Sequence, residues 1–468
     1  MAQLDRSATT LGKHAVVVGG GLAGLASAGA LARHFERVTV LDLDAFSPNI
    51  GHRSGTPQDR HTHGLLGGGL DALEALFPGF GTDLEQAGAV PIRGGLDLRY
   101  ERPGFDSFPQ RDFGWISYAM SRPLIERMVR ARIELCENVT LRGRCRVREI
   151  LANANGSQAG AVRLECAERL ETLAADLIVD ATARGDLTLS LLESLRKPSP
   201  HETLVGVDLG YSTALFEIPD DAPSDWKGVF CFPKAPESSR FGTLMPLEGN
   251  RWIVSLAGRF DDKPPGDPEG FMDFARSLRT PTITRALERA KPDGEVFRFG
   301  TRTCLRRDFS TVTDFPQWLI VVGDAMCRFN PTYGQGMSVA AQQARLLRGL
   351  LDRVAAGSRP LAGLASDFFA AAQPLLEAPW SMTTALDFAY PLTQGQRPAD
   401  INERREFALA LLQLSVADPA IHHLTLEVQH LRKPPSVYRD PALVERVRAV
   451  IADMRAAREG RTLSAAGA

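Results

Sequence analysis

The chain has 468 residues, of which 44% are hydrophobic and 24% are charged, and its formal net charge is −2. This length exceeds what one simple core supports, so we expect two or more domains of an ordinary globular protein. The near-neutral charge argues against a binder of nucleic acid or anionic membranes. No run approaches the ~18 consecutive apolar residues of a membrane helix, and the start of the chain, MAQLDRSATTLGK, lacks the apolar core of a signal peptide. We therefore expect a cytoplasmic protein without a transmembrane segment.

The first elements along the chain are a strand, a glycine turn and a helix, in the segment HAVVVGGGLAGLASAGALARHF (14–35). Gly19, Gly21 and Gly24 form the dinucleotide fingerprint GxGxxG, which combines a tight turn, close approach of a pyrophosphate, and contact between helix and strand. Asp42 ends the next strand, RVTVLDLD, and is placed to accept a hydrogen bond from a ribose hydroxyl. These elements predict a Rossmann-like domain without deciding between NAD and FAD.

A Gly-rich loop, GHRSGTPQDRHTHGLLGGG (51–69), comes next. His61 and His63 have the spacing of a loose metal pair, but no third ligand is nearby, so no metal site is predicted. The open alternatives are a proton donor near a cofactor and hydrogen bonds that hold the loop in place, which we favour. We interpret the Gly67–Gly69 run as a turn.

The six cysteines are widely spaced, and none belongs to a CxxC pair. This spacing indicates neither a zinc site nor a disulfide framework. We therefore expect reduced thiols.

The middle of the chain changes character twice. SRPLIERMVRARI (121–133) predicts a helix with Ser121 as its N-cap, and DLIVDATARGD (176–186) predicts a buried strand followed by a turn. From about 200 to 300, short strands alternate with turns, which indicates an antiparallel sheet. QWLIVVGDA (317–325) then returns to a buried strand. The nucleotide-binding domain is therefore expected to be discontinuous, with the sheet domain inserted.

A second motif, VVGDAMCRFNPTYGQGM (321–337), favours FAD. It places Asp324 directly after a strand, followed by a loop with Pro and Gly and then by a helix that starts near Gly336. An acid at this place can hold a ribityl chain, and a helix N-terminus can stabilise negative charge on a reduced flavin ring.

The GGGLAG turn, the GDA…NPTYGQGM segment and the order of the domains resemble the flavoprotein monooxygenases of the p-hydroxybenzoate hydroxylase fold. PQDRHTHGLL, SRPLIERM, DATARGD, VDLGYST and GTLMPLEGNRW further resemble the bacterial polyether epoxidases of the lasalocid and monensin type and, more distantly, squalene epoxidase. The similarity covers about residues 13 to 440. It implies an α/β fold with a discontinuous Rossmann-like FAD-binding domain (1–90, 116–198, 301–360), an inserted antiparallel β-sheet substrate domain (91–115, 199–300) and a helical C-terminal region (361–468).

The resemblance also implies individual contacts. Matching positions make Arg60, Arg122 and Met337 contact FAD, and they place Pro331, Gly334 and Gly336 beside the flavin ring. Together with the motifs above, the predicted cofactor-binding residues are Gly19, Gly21, Gly24, Asp42, Arg60, Arg122, Asp324, Pro331, Gly334, Gly336 and Met337. No catalytic base is assigned, and His61 and His63 remain weak catalytic candidates. The candidate residues of an apolar substrate pocket are Tyr211, Phe230, Phe232 and Trp252.

The implied activity is that of an FAD-dependent monooxygenase. It uses O2 through a flavin C4a-hydroperoxide to epoxidise or hydroxylate an apolar substrate of secondary metabolism. Because the chain has one dinucleotide fingerprint, NAD(P)H docks transiently at the flavin or a partner flavin reductase supplies electrons. A carrier protein is a further candidate partner, and a monomer or homodimer is expected. The alternatives are a flavin-dependent halogenase, whose WxWxIP motif is missing here, an alkene reductase of the geranylgeranyl-reductase type, and a non-catalytic FAD-holding protein.

Overall fold

The fold joins a parallel sheet, a larger mainly antiparallel sheet and a helical C-terminal region. The computed structural model describes residues 10–47, 51–106, 108–152, 159–354 and 361–466. Within these ranges the helices are α1 (Leu22–Leu31), α2 (Gly67–Leu76), α3 (Phe80–Gln86), α4 (Arg122–Glu134), α5 (Asp186–Ser194), α6 (Pro268–Arg276), α7 (Thr282–Leu287), α8 (Gly336–Val354), α9 (Leu364–Asp387), α10 (Ile401–Ala417), α11 (Pro419–Gln429) and α12 (Pro441–Ala466). The strands of the same ranges are β1 (Gly12–Val18), β2 (Phe35–Leu41), β3 (Val90–Arg93), β4 (Leu98–Glu101), β5 (Ile116–Ala119), β6 (Val139–Arg142), β7 (Cys145–Ala152), β8 (Gly160–Cys166), β9 (Arg169–Ala175), β10 (Leu177–Asp180), β11 (His201–Glu217), β12 (Gly228–Cys231), β13 (Phe241–Leu247), β14 (Arg251–Arg259), β15 (Lys291–Pro292), β16 (Phe297–Asp308), β17 (Leu319–Val321), β18 (Cys327–Arg328) and β19 (Gln394–Gly395).

The parallel sheet contains the N-terminal βαβ unit. Its strand order is β17-β10-β1-β2-β6, and each neighbouring pair is parallel. Val16 and Val17 in the central strand β1 are both fully buried. Because successive strand residues point to opposite faces, their burial shows that both faces of the sheet are covered. The strands come from separate stretches of the chain, so the predicted discontinuous Rossmann-like domain is confirmed.

The large sheet has the order β18-β16-β11-β14-β13-β12-β4, and β15 and β19 also pair with β11. β4 joins it in parallel with β12, so the predicted 91–115 segment contributes a strand. β11 is a single strand of 17 residues with an irregularity between Gly206 and Leu209, where short strands were expected. The predicted boundary at residue 300 falls inside β16, because β16 continues along β11 to Asp308.

The large sheet has two faces with different coverings. On β14, Trp252, Val254 and Leu256 pack with α6 and α7 in a separate core, which we call the outer face. Ser255, between Val254 and Leu256, lies on the opposite face and contacts the 51–69 loop. This opposite side, the inner face, therefore meets the Rossmann-like domain, as strand alternation requires.

The C-terminal region is helical, as predicted, from α9 to α12. α9 packs on the main core through Phe368 and Phe369, which are almost fully buried. α10, α11 and α12 enclose a small core of their own, which includes Leu411, Ile421 and Val447. β19 in this region pairs with β11, so the region also contacts the large sheet. No helix in the described ranges combines the length and the apolarity that crossing a membrane requires.

Two expectations were wrong. Cys145 and Cys166 form a disulfide, where reduced thiols were expected. They are paired residues of β7 and β8, with Cα atoms 4.5 Å apart, so strand pairing brings together cysteines that are distant in sequence.

The Gly67–Gly69 run begins helix α2 and is not a turn. A Cβ on Gly69 would lie 2.6 Å from the Cα of Ser338, and a Cβ on Gly68 would lie 2.2 Å from the carbonyl oxygen of Leu431. These glycines therefore allow α2 to pack closely against α8 and the C-terminal region.

Candidate functional site

The glycine turn has one closed side and one open side. Gly19 has φ +108° directly after β1, and a Cβ on Gly24 would lie 1.8 Å from the carbonyl oxygen of Gly19, so strand and helix touch here. By contrast, among the described residues a Cβ on Gly21 would meet only Arg53 Nη2, at 4.0 Å. Gly21 is the N-cap of α1, and no side chain in the described part of the protein caps this helix. The open side therefore presents free backbone N–H groups of the kind that bind phosphate.

Asp42 lies at the end of β2, beside this turn. Its carboxylate accepts hydrogen bonds from the backbone N–H groups of Gly20 and Asp44, and its Oδ1 lies 3.3 Å from Arg53 Nη1. Burial raises the pKa of Asp42, and the charge of Arg53 partly offsets that rise. Asp42 is thus an oriented acceptor at the place where the sequence predicted a ribose contact.

Arg53 was not assigned from the sequence, although it lies in the quoted 51–69 loop. Its guanidinium connects the glycine turn to α4, because Nη2 lies 2.8 Å from Glu126 Oε2. Glu126 in turn accepts from Arg122 Nε at 3.0 Å, and Arg122 Nη1 donates to His63 Nε2 at 3.3 Å. A continuous polar chain therefore runs from Asp42 to His63.

Asp59 and Arg60, which are adjacent in the 51–69 loop, have different roles. Asp59 is 5% exposed and accepts from His52 Nδ1 (2.7 Å), the backbone N–H of Arg53 (3.0 Å) and the Thr56 hydroxyl (3.1 Å), so it orders the turn that presents Arg53. Arg60 is exposed, and its guanidinium lies 4.3 Å from the ring centre of Phe297 in β16. The FAD contact of Arg60 stays a prediction, whereas Arg53 is the arginine that lies at the glycine turn.

The histidines hold the loop to the inner face of the large sheet. His61 is 3% exposed, hydrogen-bonds to Thr213 Oγ1 at 2.8 Å, and packs edge-on against the ring of Tyr211. Burial lowers the pKa of His61 to about 4, and burial together with the charge of Arg122 lowers the pKa of His63 to about 3. Both imidazoles are therefore neutral near pH 7, which suits structural hydrogen bonding better than proton donation.

Asp324 lies in the 3₁₀ turn Gly323–Ala325 that follows β17. Its carboxylate accepts no hydrogen bond from the residues that the structure describes. Burial raises its pKa, and the charges of Arg122 and Arg328 oppose that rise. A Cβ on Gly336 would lie 3.9 Å from Asp324 Oδ1, so the start of α8 is adjacent to this acid. Asp324 is thus an acceptor at the start of α8 that no donor in the described residues occupies.

Residues 330–337, which we call the ring loop, pack on the 51–69 loop. Gly334 has φ +64°, and a Cβ there would lie 3.6 Å from Gly64. Within the described part of the chain, Thr332 Oγ1 and Gln335 Oε1 are buried without a hydrogen-bond partner. Buried polar atoms normally find a partner, so this loop has unused capacity to bind a polar group. Pro331 is exposed, and Met337 is half-buried at the start of α8.

The candidate pocket residues are divided between the two faces of the large sheet. Tyr211 lies on the inner face between His61 and Phe299. Phe230 stacks on Tyr100 and lies near Phe232, and these rings pack against the main core. Trp252 instead stacks on Trp226 at the outer face, among α6 and α7. The expectation that Trp252 lines the same pocket was wrong, because its position in β14 points it to the opposite side.

The residues present fit FAD. A pyrophosphate needs open N–H groups and positive charge, which the Gly21 side of the turn and Arg53 supply. A ribose needs an oriented acceptor such as Asp42, and a ribityl chain needs one such as Asp324. The orphaned atoms of Thr332 and Gln335 suit the polar edge of an isoalloxazine ring. Among the described residues, no group of three His, Cys, Asp or Glu side chains is arranged to hold a metal ion.

Comparisons with known proteins agree with the overall fold. No family model matches the chain. Protein Rv3254 of Mycobacterium tuberculosis is 30% identical over 408 residues, which cover 82% of this chain and 84% of that protein. Three solved structures share the fold: the flavin-dependent brominase Bmp2 (TM-score 0.65, 12% identity, 94% of this chain and 100% of that chain), a flavoprotein/dehydrogenase from Cytophaga hutchinsonii (TM-score 0.66, 12% identity, 94% and 98%), and p-nitrophenol 4-monooxygenase PnpA from Pseudomonas putida DLL-E4 (TM-score 0.60, 17% identity, 91% and 98%).

Proposed function

The chain belongs to the family of Mycobacterium tuberculosis protein Rv3254, and from this premise and the geometry of the site we propose that it is an FAD-dependent monooxygenase. It inserts one oxygen atom from O2 into an apolar organic substrate by epoxidation or hydroxylation. The observation that carries the proposal is a single polar chain, Asp42–Arg53–Glu126–Arg122. This polar chain begins at the open glycine turn. It ends at Arg122, whose positive charge opposes the rise in the pKa of Asp324 beside the ring loop.

Each end of this polar chain of side chains binds a different part of the cofactor. The N-terminus of α1 and Arg53 bind the two charges of the pyrophosphate. Asp42 accepts from the ribose, and Asp324, whose carboxylate accepts no hydrogen bond from the described residues, accepts from the ribityl chain. The ring loop supplies contacts to the isoalloxazine. When bound, FAD supplies the oxygen-transfer chemistry, while the protein binds, orients and excludes water.

The loop that carries His61 and His63 closes one side of the site. Thr62 and His61 are hydrogen-bonded to Ser255 and Thr213, respectively, so the loop is held against the inner face on this side of the site. Because the pKa values of both histidines are low, neither is a base or acid of ordinary strength near pH 7. Epoxidation needs no catalytic base, which favours an alkene over a phenol as substrate.

The finer assignments rest on sequence resemblance. The motifs of polyether epoxidases support a place for this chain in that subfamily, with a substrate from secondary metabolism that lies between the ring loop and the inner face. The single dinucleotide fingerprint supports transient docking of NAD(P)H or delivery of electrons by a separate flavin reductase. A halogenase is the second candidate, because Bmp2, a flavin-dependent brominase, shares the fold. The missing WxWxIP motif counts against it.

The proposal is tested by isotope incorporation. The flavin released from the purified protein is identified by chromatography, and the photoreduced holoprotein is then mixed with ¹⁸O₂ and a panel of apolar alkenes and phenols, with and without bromide. A monooxygenase gives a product with one ¹⁸O atom that does not depend on bromide. A brominated product would instead establish the halogenase, a hydrogenated product would establish the alkene reductase, and bound FAD without any product would support the non-catalytic binder. The Asp324→Ala variant, which should lack FAD, is the control for reactions in free solution.

A further inference from the structure

Asp387, the last residue of α9, contacts the ring loop from the C-terminal region. Its side chain is 1% exposed, and Oδ1 accepts hydrogen bonds from Arg259 Nη2 (2.5 Å), Asn330 Nδ2 (2.8 Å) and the Tyr333 hydroxyl (3.2 Å). Arg259 ends β14 of the large sheet, whereas Asn330 and Tyr333 belong to the ring loop. One carboxylate oxygen therefore ties three parts of the fold together.

Asn330 transmits this contact to the loop backbone. While its amide nitrogen donates to Asp387, its Oδ1 accepts from the backbone N–H of Thr332 at 3.0 Å and so caps the turn Pro331–Tyr333. Gly334, in the left-handed region, ends that turn, and α8 begins at Gly336. The conformation of the segment between β18 and α8 is thus fixed by the side chains that converge on Asp387.

A gain in folding stability does not explain why the Arg259–Asp387 ion pair is buried. Arg259 is 5% exposed, and both Arg259 Nη1 and Asp387 Oδ2 are buried without a hydrogen-bond partner in the described part of the chain. Incompletely satisfied buried ion pairs are often no more stable than an apolar replacement. The arrangement is better explained by the segment that it orders, because the other two groups that donate to Asp387, Asn330 and Tyr333, belong to the ring loop.

We propose that Asp387 is a positioning residue that holds the ring loop against the flavin, and that the C-terminal helical region is coupled to the cofactor through it. The inference rests on the proposed function, because it assumes that FAD lies beside this loop. Asp387 is not proposed to contact the substrate. It acts through Asn330 and Tyr333, and Arg259 balances its charge.

The test compares four full-length proteins: wild type, Asp387→Asn, Tyr333→Phe and Asp83→Asn. Tyr333→Phe removes one hydrogen bond without changing charge or ring volume. Asp83→Asn breaks the ion pair of the half-buried Asp83 with the buried Arg132, which joins α3 and α4, and is the control for loss of an ion pair away from the ring loop. Amide hydrogen exchange of residues 330–337 is measured in the apoproteins, and FAD affinity, visible spectrum and midpoint potential are measured in the holoproteins.

Faster exchange of the ring loop is expected in Asp387→Asn and Tyr333→Phe but not in Asp83→Asn. Loss of the Asp387 charge leaves Arg259 positive, which stabilises the reduced anionic ring, so the midpoint potential should rise in Asp387→Asn. Tyr333→Phe should weaken FAD binding roughly fivefold and shift the visible spectrum. Should Asp387→Asn fail to fold, these Tyr333→Phe results decide alone.

Two results would overturn the proposal. One is loop exchange in Tyr333→Phe and Asp387→Asn equal to that of wild type. The other is faster exchange with an unchanged spectrum and potential, which would mean that the loop is ordered by Asp387 but does not position the flavin. Failure of the wild-type protein to bind FAD would instead refute the proposed function, while the exchange measurement on the apoprotein would still report whether Asp387 orders the loop.

Discussion

Arg53 Nη1 lies 3.3 Å from Asp42 Oδ1, beside the open side of the glycine turn. Asp42 comes from the strand after the fingerprint helix, and Arg53 comes from the following loop, so the two approach only in the folded chain. The contact places one acceptor and one cation next to N–H groups that are free to bind a phosphate. It also brings positive charge to a place that Asp42, Asp44 and Glu126 would otherwise make strongly negative.

Replacement of Arg53 should weaken FAD binding more than replacement of Arg60. Arg53→Ala removes a cation from the phosphate side of the turn and leaves Asp42 and Asp44 without the guanidinium that they share, so we expect the Kd for FAD to rise about 10- to 100-fold. Arg60→Ala should change it less than threefold, because the Arg60 guanidinium lies on Phe297. Fluorescence titration of the apoproteins with FAD measures both. The opposite order would restore Arg60 as the phosphate ligand.

Two glycines of the same turn should respond differently to alanine. Gly24→Ala places a Cβ 1.8 Å from the carbonyl oxygen of Gly19, so it should destabilise the apoprotein by about 1–3 kcal/mol or more. Gly21 has extended backbone angles and an open side, so Gly21→Ala should leave the apoprotein Tm unchanged. Its methyl group nevertheless fills the space that a pyrophosphate needs, and FAD affinity should fall at least about tenfold. Unaltered affinity in a folded Gly21→Ala would place the phosphate elsewhere.

Asp324→Ala should separate binding from stability. The side chain is half-buried, desolvation raises its pKa, and it accepts no hydrogen bond from the described residues, so the folded apoprotein gains little from it. We expect the variant to purify colourless, with an apoprotein Tm equal to or above that of wild type. Calorimetry measures the Tm of the apoprotein, and the visible spectrum independently measures the FAD content of the purified variant. A yellow Asp324→Ala protein with normal FAD content would contradict the ribityl assignment.

Acid should destabilise the protein partly through His61. Its pKa in the folded chain is about 4, below the ordinary 6.5, so between these values the unfolded chain binds the proton and the native fold does not. The contribution of His61 to the free energy of unfolding is fully present above about pH 6.5. It declines as the pH falls toward about 4, by on the order of 3 kcal/mol in total. The loss of Tm between about pH 7.5 and about pH 5 should therefore be smaller in His61→Gln than in wild type.

The exposed His201 provides the control for this experiment. His201→Gln removes an imidazole from the exposed start of β11, far from the buried contacts of His61 in the 51–69 loop, and should retain the full wild-type dependence of Tm on pH. Equal pH dependence in all three proteins would show that burial of His61 does not contribute to acid sensitivity.

The parts of the fold that follow from local pattern could be predicted. The buried Val16–Val18 run, the fingerprint glycines and Asp42 specify a strand, turn, helix and second strand within one continuous stretch, and the structure has them in that order. Ser121 also caps α4 as its sequence indicates, accepting from the backbone N–H of Leu124. Resemblance of motifs extended the prediction to the order of the domains.

What could not be predicted depends on contacts between distant segments. Arg53 has no motif of its own, and its role is visible only when Asp42 and Glu126 lie on either side of it. Trp252 was assigned to the pocket by position along the chain, but the face that a strand residue occupies depends on register and on what covers the sheet. Asp387 lies 57 positions from Asn330, so its contact with the ring loop could not be inferred from sequence.

A monooxygenase must let reduced FAD react with oxygen in a protected site. We would first measure stopped-flow absorbance of the photoreduced holoprotein mixed with O2, with and without alkene or phenol ligands. We expect a transient spectrum, distinct from both reduced and oxidised flavin, whose decay depends on the ligand. A single-phase return to the oxidised spectrum with every ligand would refute the monooxygenase function and would favour an alkene reductase or a non-catalytic flavin binder.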